Sequence, residues 1–396
     1  MTRSFMRFLP AALTALALSS APAFAQQCGG SFSSFVNGLK SEAVSRGHDR
    51  ATVDRFFANA QQSPSVLKAD RAQGVFQLDF TTFSRRLISA NRIQNGTAKG
   101  KQYASTFQRI EQTYGVPRGI LSAFWAFETD FGGFQGDFNT RNALITLAHD
   151  CRRPELFRPQ VFAALKLYEK GDFSPTGTTG AWAGEIGQVQ MLPLDILENG
   201  VDGDGDGHVR LKESAPDALM SGAKMLHSLG WRPNEPWLQE VTVPQNLDWT
   251  QTGLQTQLRA SQWASMGVKP RSGAMLAPNL PASILLPQGR HGPAFLVYPN
   301  YNVLFEWNKS FVYVLTAAYF GTRLEGAPVF NAGTPDAGLS GAQMKQLQQK
   351  LVNRGYDVGG VDGILGEKTR EAVQAVQKQL GMPADAWPTP ALLQRM

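Results

Sequence analysis

Ile120-Leu-Ser-Ala-Phe-Trp-Ala-Phe-Glu-Thr-Asp-Phe-Gly132 is the stretch from which the rest of the chain can be read. Pro117 suits a first helical turn and Gly132-Gly133 closes one, so the pattern predicts a helix over 117–131. On that helix Leu121, Phe124, Trp125, Glu128 and Phe131 share one face at spacings of three and four. Glu128 is the single charged residue in this aromatic stripe. Burial disfavours a carboxylate, so its pKa is expected to rise, and an acid still protonated near neutral pH is what general-acid catalysis needs. The competing reading is a glutamate at the edge of the stripe, paired with a surface arginine. Asp130 points away round the helix, and no second acid stands in a compelling position.

Outward from this segment the spacing predicts helices over 31–45, with Phe32, Phe35, Leu39 and Ala43 on one side, and over 159–168, 217–229 and 310–324. Strand signals are few: 238–243, and 293–304 with Phe295, Val297, Tyr298 and Val303. The fold class is therefore mainly α, an α+β chain with minor β. Beyond Leu324 the composition shifts. Residues 325–338 are rich in Gly, Pro and Ala and read as an interdomain linker. Residues 339–396 form a compact module of three helices. The first is capped by Ser340 and buries Met344, Leu347 and Leu351; the second buries Ala372, Val373, Val376 and Leu380; the third carries Ala391 and Leu392. Three small helices on one core can fold alone, though marginally.

The chain has 396 residues, 42% hydrophobic and 18% charged, which suits two or three domains and excludes global disorder. Its net charge of +6 comes without dense Lys/Arg runs, which excludes a nucleic-acid partner and suits a weak attraction to an anionic polymer or membrane surface. Residues 1–25 read as a secretory signal peptide: Arg3 and Arg7, an apolar run from Phe8 to Leu18, and an Ala23-Phe24-Ala25 cleavage site. The run is shorter than the roughly 20 apolar residues a bilayer span needs. Cys28 follows Gln26-Gln27 rather than small residues, so no lipoprotein anchor is expected. In an oxidising compartment a Cys28–Cys151 disulfide is favoured over two buried thiols.

Four ordered motifs carry a resemblance. They are Phe127-Glu-Thr-Asp-Phe-Gly132, Asn142-Ala-Leu-Ile-Thr-Leu-Ala-His-Asp-Cys-Arg-Arg153, Trp182-Ala-Gly-Glu-Ile-Gly-Gln-Val-Gln-Met-Leu-Pro193 and Trp307-Asn-Lys-Ser-Phe-Val-Tyr313. Over residues 28–324 the chain resembles the membrane-bound lytic transglycosylase B family, peptidoglycan-cleaving enzymes with a lysozyme-like catalytic core. The resemblance places the catalytic acid on Glu128, a sugar-contacting amide on Gln190, an active-site amide on Asn308 and basic groove residues on Arg152 and Arg153. Trp307 and Tyr313 complete the fourth motif, in which Trp307 stands where the pattern has Tyr. Ala181 likewise stands where many members carry Ser. The plainer readings stay open: Gln190 as a helix cap, Asn308 as a turn residue, and the two arginines as solvated surface charges.

Ordinary glycosidases use two carboxylates. The resemblance implies another route, with one. Glu128 protonates the oxygen between N-acetylmuramic acid and N-acetylglucosamine, the muramyl N-acetyl carbonyl assists, and Glu128 then accepts the C6 hydroxyl proton as a 1,6-anhydro ring closes without water. The rivals are a hydrolytic muramidase and a non-catalytic cell-wall-binding protein.

Asp202-Gly-Asp-Gly-Asp-Gly-His-Val-Arg-Leu-Lys-Glu213 has the spacing of an EF-hand loop. Asp202, Asp204, Asp206, the backbone carbonyl of His208 and Glu213 would hold a structural Ca²⁺, and the resembled family makes Asp217 a competitor to Glu213. The alternative is an Asp/Gly turn without metal. No organic cofactor is expected. Near the C-terminus, Leu347–Tyr356 and Val361-Asp-Gly-Ile-Leu-Gly-Glu-Lys-Thr369 resemble the three-helix peptidoglycan-binding domain of type 1. These resemblances imply a periplasmic monomer that acts on glycan strands, with other periplasmic cell-wall enzymes as candidate partners.

Overall fold

The computed structural model describes residues 28–72 and 78–396; the signal peptide read at 1–25 lies outside them. The elements are mainly helices, with one two-stranded and one five-stranded antiparallel sheet. None of the helices described is long and apolar enough to cross a membrane.

The helix that carries Glu128 runs Arg118–Thr129 at the centre of the largest core and packs along the helix Phe311–Leu324. Glycine sets the closeness of that contact: a Cβ on Gly119 would stand 2.5 Å from the carbonyl oxygen of Gly321. Glu325, just past the second helix, accepts a hydrogen bond from the Gly119 amide at 2.8 Å. A carboxylate there satisfies a free N–H and complements the positive end of the helix dipole.

The larger sheet orders its strands as Leu258–Arg259, Pro281–Leu285, Ala294–Val297, Leu238–Thr242 and Lys269–Pro270. Side chains alternate across it. Leu285, Phe295 and Val297 enter the main core, while Ile284, Leu296 and Val241 join a second cluster around Trp263.

Three expectations need correction. The segment 293–304 is only half strand. Its strand stops at Val297, and Pro299, which has no N–H to give a ladder, opens the helix Pro299–Trp307. The helix expected from Pro159 begins a turn and more earlier, at Pro154, and carries Pro159 inside it. The stretch 325–338 has no helix or strand, yet it is no free linker. Phe330 is buried against Phe80 and Tyr319, with ring centroids at 5.2 and 5.0 Å. Arg271 holds the Val329 carbonyl at 2.8 Å, and the Trp387 indole holds the Asp336 carbonyl at 2.9 Å.

In the C-terminal module, helices Gly341–Asn353, Glu367–Gln379 and Pro390–Arg395 share a core of Met344, Leu347, Leu351, Val373, Val376 and Leu392. At the other end of the chain a disulfide joins Cys28 to Cys151 across 123 residues. Closing so long a loop removes much unfolded-chain entropy. Cys151→Ser is therefore expected to lower unfolding free energy by about 2–5 kcal/mol in urea titration, and an unchanged midpoint would contradict that.

Candidate active site

The central helix ends at Thr129, short of the expected glycines. Asp130 and Phe131 both take left-handed backbone conformations, φ 52° and 61°. Arg92 pairs with Asp130 at 3.0 Å, and the Thr129 hydroxyl accepts the Gly132 amide at 2.9 Å. Gly132 must be glycine, since its φ is 88° and a Cβ would lie 2.8 Å from Gln188 Oε1. The turn thus fixes the end of the helix one residue beyond Glu128.

Glu128 is half-buried, with rings around it. The Tyr313 hydroxyl donates a short hydrogen bond to Glu128 Oε1. The Trp307 side chain also favours the charged form of this carboxyl. Trp307 stacks on Phe124 at 4.6 Å, and Phe127 stacks on Phe320 at 5.2 Å. Loss of water around the carboxyl pushes its pKa up to about 7; Tyr313 and Trp307 oppose the rise, and the Glu185 charge adds to it. Tyr313 in turn is pushed well above its ordinary range by burial and by the Glu128 charge.

Glu185 went unread in the sequence. It occupies a variable position of the Trp182–Pro193 motif, and the only signal was a lone charge among Gly, Ala and Ile. Its loop docks directly on the central helix: Trp125 Nε1 donates to Gln188 Oε1 at 3.0 Å, and the Thr129 hydroxyl donates to the Gln188 carbonyl at 2.6 Å. Burial raises the Glu185 pKa, while backbone amides and Arg153 hold it down. The Glu185 charge thus acts against ionisation of Glu128.

The remaining site residues have structural partners. Arg152 and Arg153 both grip the buried carboxylate of Asp70. Gln190 donates to the Gly187 carbonyl at 2.8 Å and sits at φ 53°, bracing its own loop. Asn308 Oδ1 accepts the Ser310 amide at 2.9 Å and starts the helix that carries Tyr313. The motifs of Glu128, Trp307 and Tyr313 meet at one carboxyl, whereas Gln190, Asn308, Arg152 and Arg153 are held by other protein groups.

In the acidic loop, carboxylates of Asp202, Asp204 and Asp217 come within 4.8 Å of one another. Asp217 is buried and accepts the Gly203 amide at 2.9 Å and the Arg210 amide at 2.8 Å. Asp206 faces Arg210 at 3.4 Å, and the His208 ring meets Asp172 at 2.8 Å. Glu213 is exposed and outside the cluster. The oxygen-only donors suit a hard cation.

Residues 31–322 match the transglycosylase SLT domain family, and residues 340–396 match a peptidoglycan binding domain. The chain belongs to the transglycosylase SLT family. Membrane-bound lytic murein transglycosylase B of Escherichia coli K12 is 26% identical over 319 residues, covering 76% of this chain and 86% of its own. SltB3 from Pseudomonas aeruginosa, solved with NAG-NAM-pentapeptide, superposes at TM-score 0.85 and 36% identity, over 93% of this chain and 100% of that one. The Escherichia coli lytic transglycosylase Slt35, solved with calcium, gives 0.64 and 25%, over 76% and 96%. This transglycosylase shares their lysozyme-like fold.

The raised acid has a measurable consequence for stability. Glu128 has a folded pKa of about 7 against an ordinary 4.5, so the folded state holds a proton the unfolded state has released. That contribution is full below pH 4.5 and is lost as pH rises through 7. Glu128→Gln cannot ionise. Its Tm is expected to match wild type at pH 4 and exceed it at pH 8; equal Tm values at both would contradict the raised pKa.

Proposed function

We propose that this transglycosylase cleaves the β-1,4 bond between N-acetylmuramic acid and N-acetylglucosamine in peptidoglycan and leaves a 1,6-anhydromuramyl end. The observation that carries this reading is the Glu128 carboxyl: shielded by rings, held by Tyr313 and Trp307, with a pKa near neutrality. A group that is half protonated near pH 7 can give a proton to the leaving oxygen. It can then take one from the C6 hydroxyl with little driving force lost in either direction. Exclusion of water around the carboxyl favours ring closure over hydrolysis. Gln190, Asn308, Arg152 and Arg153 shape the glycan groove. The solved relative that holds NAG-NAM-pentapeptide supports the substrate class.

Hydrolysis is the second reading, since water-using glycosidases need a second carboxyl and the Glu185 charge is felt at Glu128. Product mass separates the two. Released muropeptides are expected to be one water lighter than hydrolysed ones, and reducing muramyl ends alone would overturn the proposal. Glu128→Gln should cut kcat by about 10²–10⁴-fold, the range for loss of a general acid–base.

The residues of the acidic loop would hold Ca²⁺ as a structural ion through Asp202 and Asp204, with Asp217 rather than Glu213 closing the loop. The calcium complex of Slt35 supports the choice of ion. Calcium is expected to raise Tm in wild type, and Asp204→Ala should abolish the rise while leaving Tm in chelator unchanged. A rise of the same size in Asp204→Ala would remove the site. The signal segment and the wall substrate support a periplasmic location, in which residues 339–396 would serve as a wall-binding module attached to a catalytic domain at 28–324.

A further inference from the structure

The module does not hang free. Its middle helix, Glu367–Gln379, lies against the catalytic body. Gln374 Nε2 reaches the carbonyls of Trp249 and Thr252 at 3.0 and 2.9 Å. The Arg290 guanidinium meets the buried Asp385 at 3.2 Å. The firmest contact is Arg370. It is buried, and its Nη2 donates to the Pro287 carbonyl at 2.8 Å. Its guanidinium lies over the Phe311 ring, 4.1 Å from the centroid.

Phe311 is the first residue of the helix Phe311–Leu324, and it too is buried. Two residues on, Tyr313 holds Glu128. A module residue thus clamps the first turn of the helix that aims the partner of the acid. An arginine over a ring, shielded from water, is among the stronger cation–π contacts, and a helix end otherwise frays.

We propose that Arg370 is a positioning residue for the reaction: by clamping Phe311 it fixes the Tyr313 hydroxyl on Glu128, so that the wall-binding module is also a buttress of the active site. The proposal rests on the catalytic reading of Glu128 given above. A tether would act only through local concentration of enzyme at the wall. A buttress acts on turnover even when the substrate is small and soluble.

Loosening the clamp weakens the Tyr313 bond, which favours the ionised form of Glu128. Trp307, which also lowers the Glu128 pKa, and Glu185, which raises it, stay in place. The Glu128 pKa then rises, and the alkaline limb of kcat moves to higher pH. Loss of placement also costs turnover, on the order of tenfold or more.

The test uses full-length Arg370→Ala and Phe311→Leu on a soluble, uncrosslinked muropeptide oligomer, with kcat, KM and the pH profile measured and folding checked by circular dichroism. Both variants are expected to lose about tenfold or more in kcat, with less change in KM and an alkaline limb displaced upward. Phe311→Leu keeps the apolar burial and the Arg370 hydrogen bonds, so it reports if Arg370→Ala does not fold. A folded variant of either kind with wild-type kcat and an unmoved limb overturns the proposal. Failure of the catalytic reading would show separately, in wild-type enzyme that releases no anhydro product.

Discussion

One hydrogen bond, from the Tyr313 hydroxyl to the Glu128 carboxyl, joins the two helices on which everything else is arranged. Its energetics pull two ways. Burial among Phe124, Phe127 and Trp307 makes the ionised acid costly, and the hydroxyl and the indole give back part of that cost. The balance leaves an acid able to serve in both directions near neutral pH. Neither term alone would do so: a fully shielded acid would not release its proton, and a well-solvated one would not hold it.

Much of the fold exists to keep that balance fixed. Gly119 and Gly321 let the two helices close to backbone contact, and Glu325 caps the first of them. The left-handed turn at Asp130 and Phe131 stops the central helix and brings the Gln188 loop against it. Phe330 ties the strap after Leu324 into a ring cluster with Phe80, Phe295 and Tyr319. The module then presses on Phe311, so the wall-binding end of the chain and the acid share one mechanical frame.

The aromatic stripe was legible because period and chemistry agreed: rings at helical spacing with one acid among them. Capping was legible too, as at Ser340, whose hydroxyl accepts the Gln343 amide at 3.4 Å. What escaped depends on contacts distant in sequence. Glu185 is one residue in a Gly-rich loop, and nothing local says that the loop folds back onto the Glu128 helix. The segment from Pro293 carries β-favouring side chains throughout, yet Pro299 divides it, and the apolar residues beyond serve a helix instead. The Gly/Pro-rich composition of 325–338 gave absence of regular structure correctly. It could not reveal that Phe330 is buried, because one phenylalanine in a loop has no period. The motif reads Arg152 and Arg153 as groove residues; their grip on Asp70 could not be read locally, because it depends on a helix 82 and 83 positions earlier.

The most direct measurement is a carboxyl-carbon NMR titration of the resting enzyme labelled at glutamate Cδ, with Glu128→Gln used to assign the resonance. A midpoint near 7 for Glu128 agrees with an acid poised to give and retake a proton. A midpoint near 4.5, the ordinary value, would mean that the rings do not shield it and that the single-carboxyl chemistry has no source.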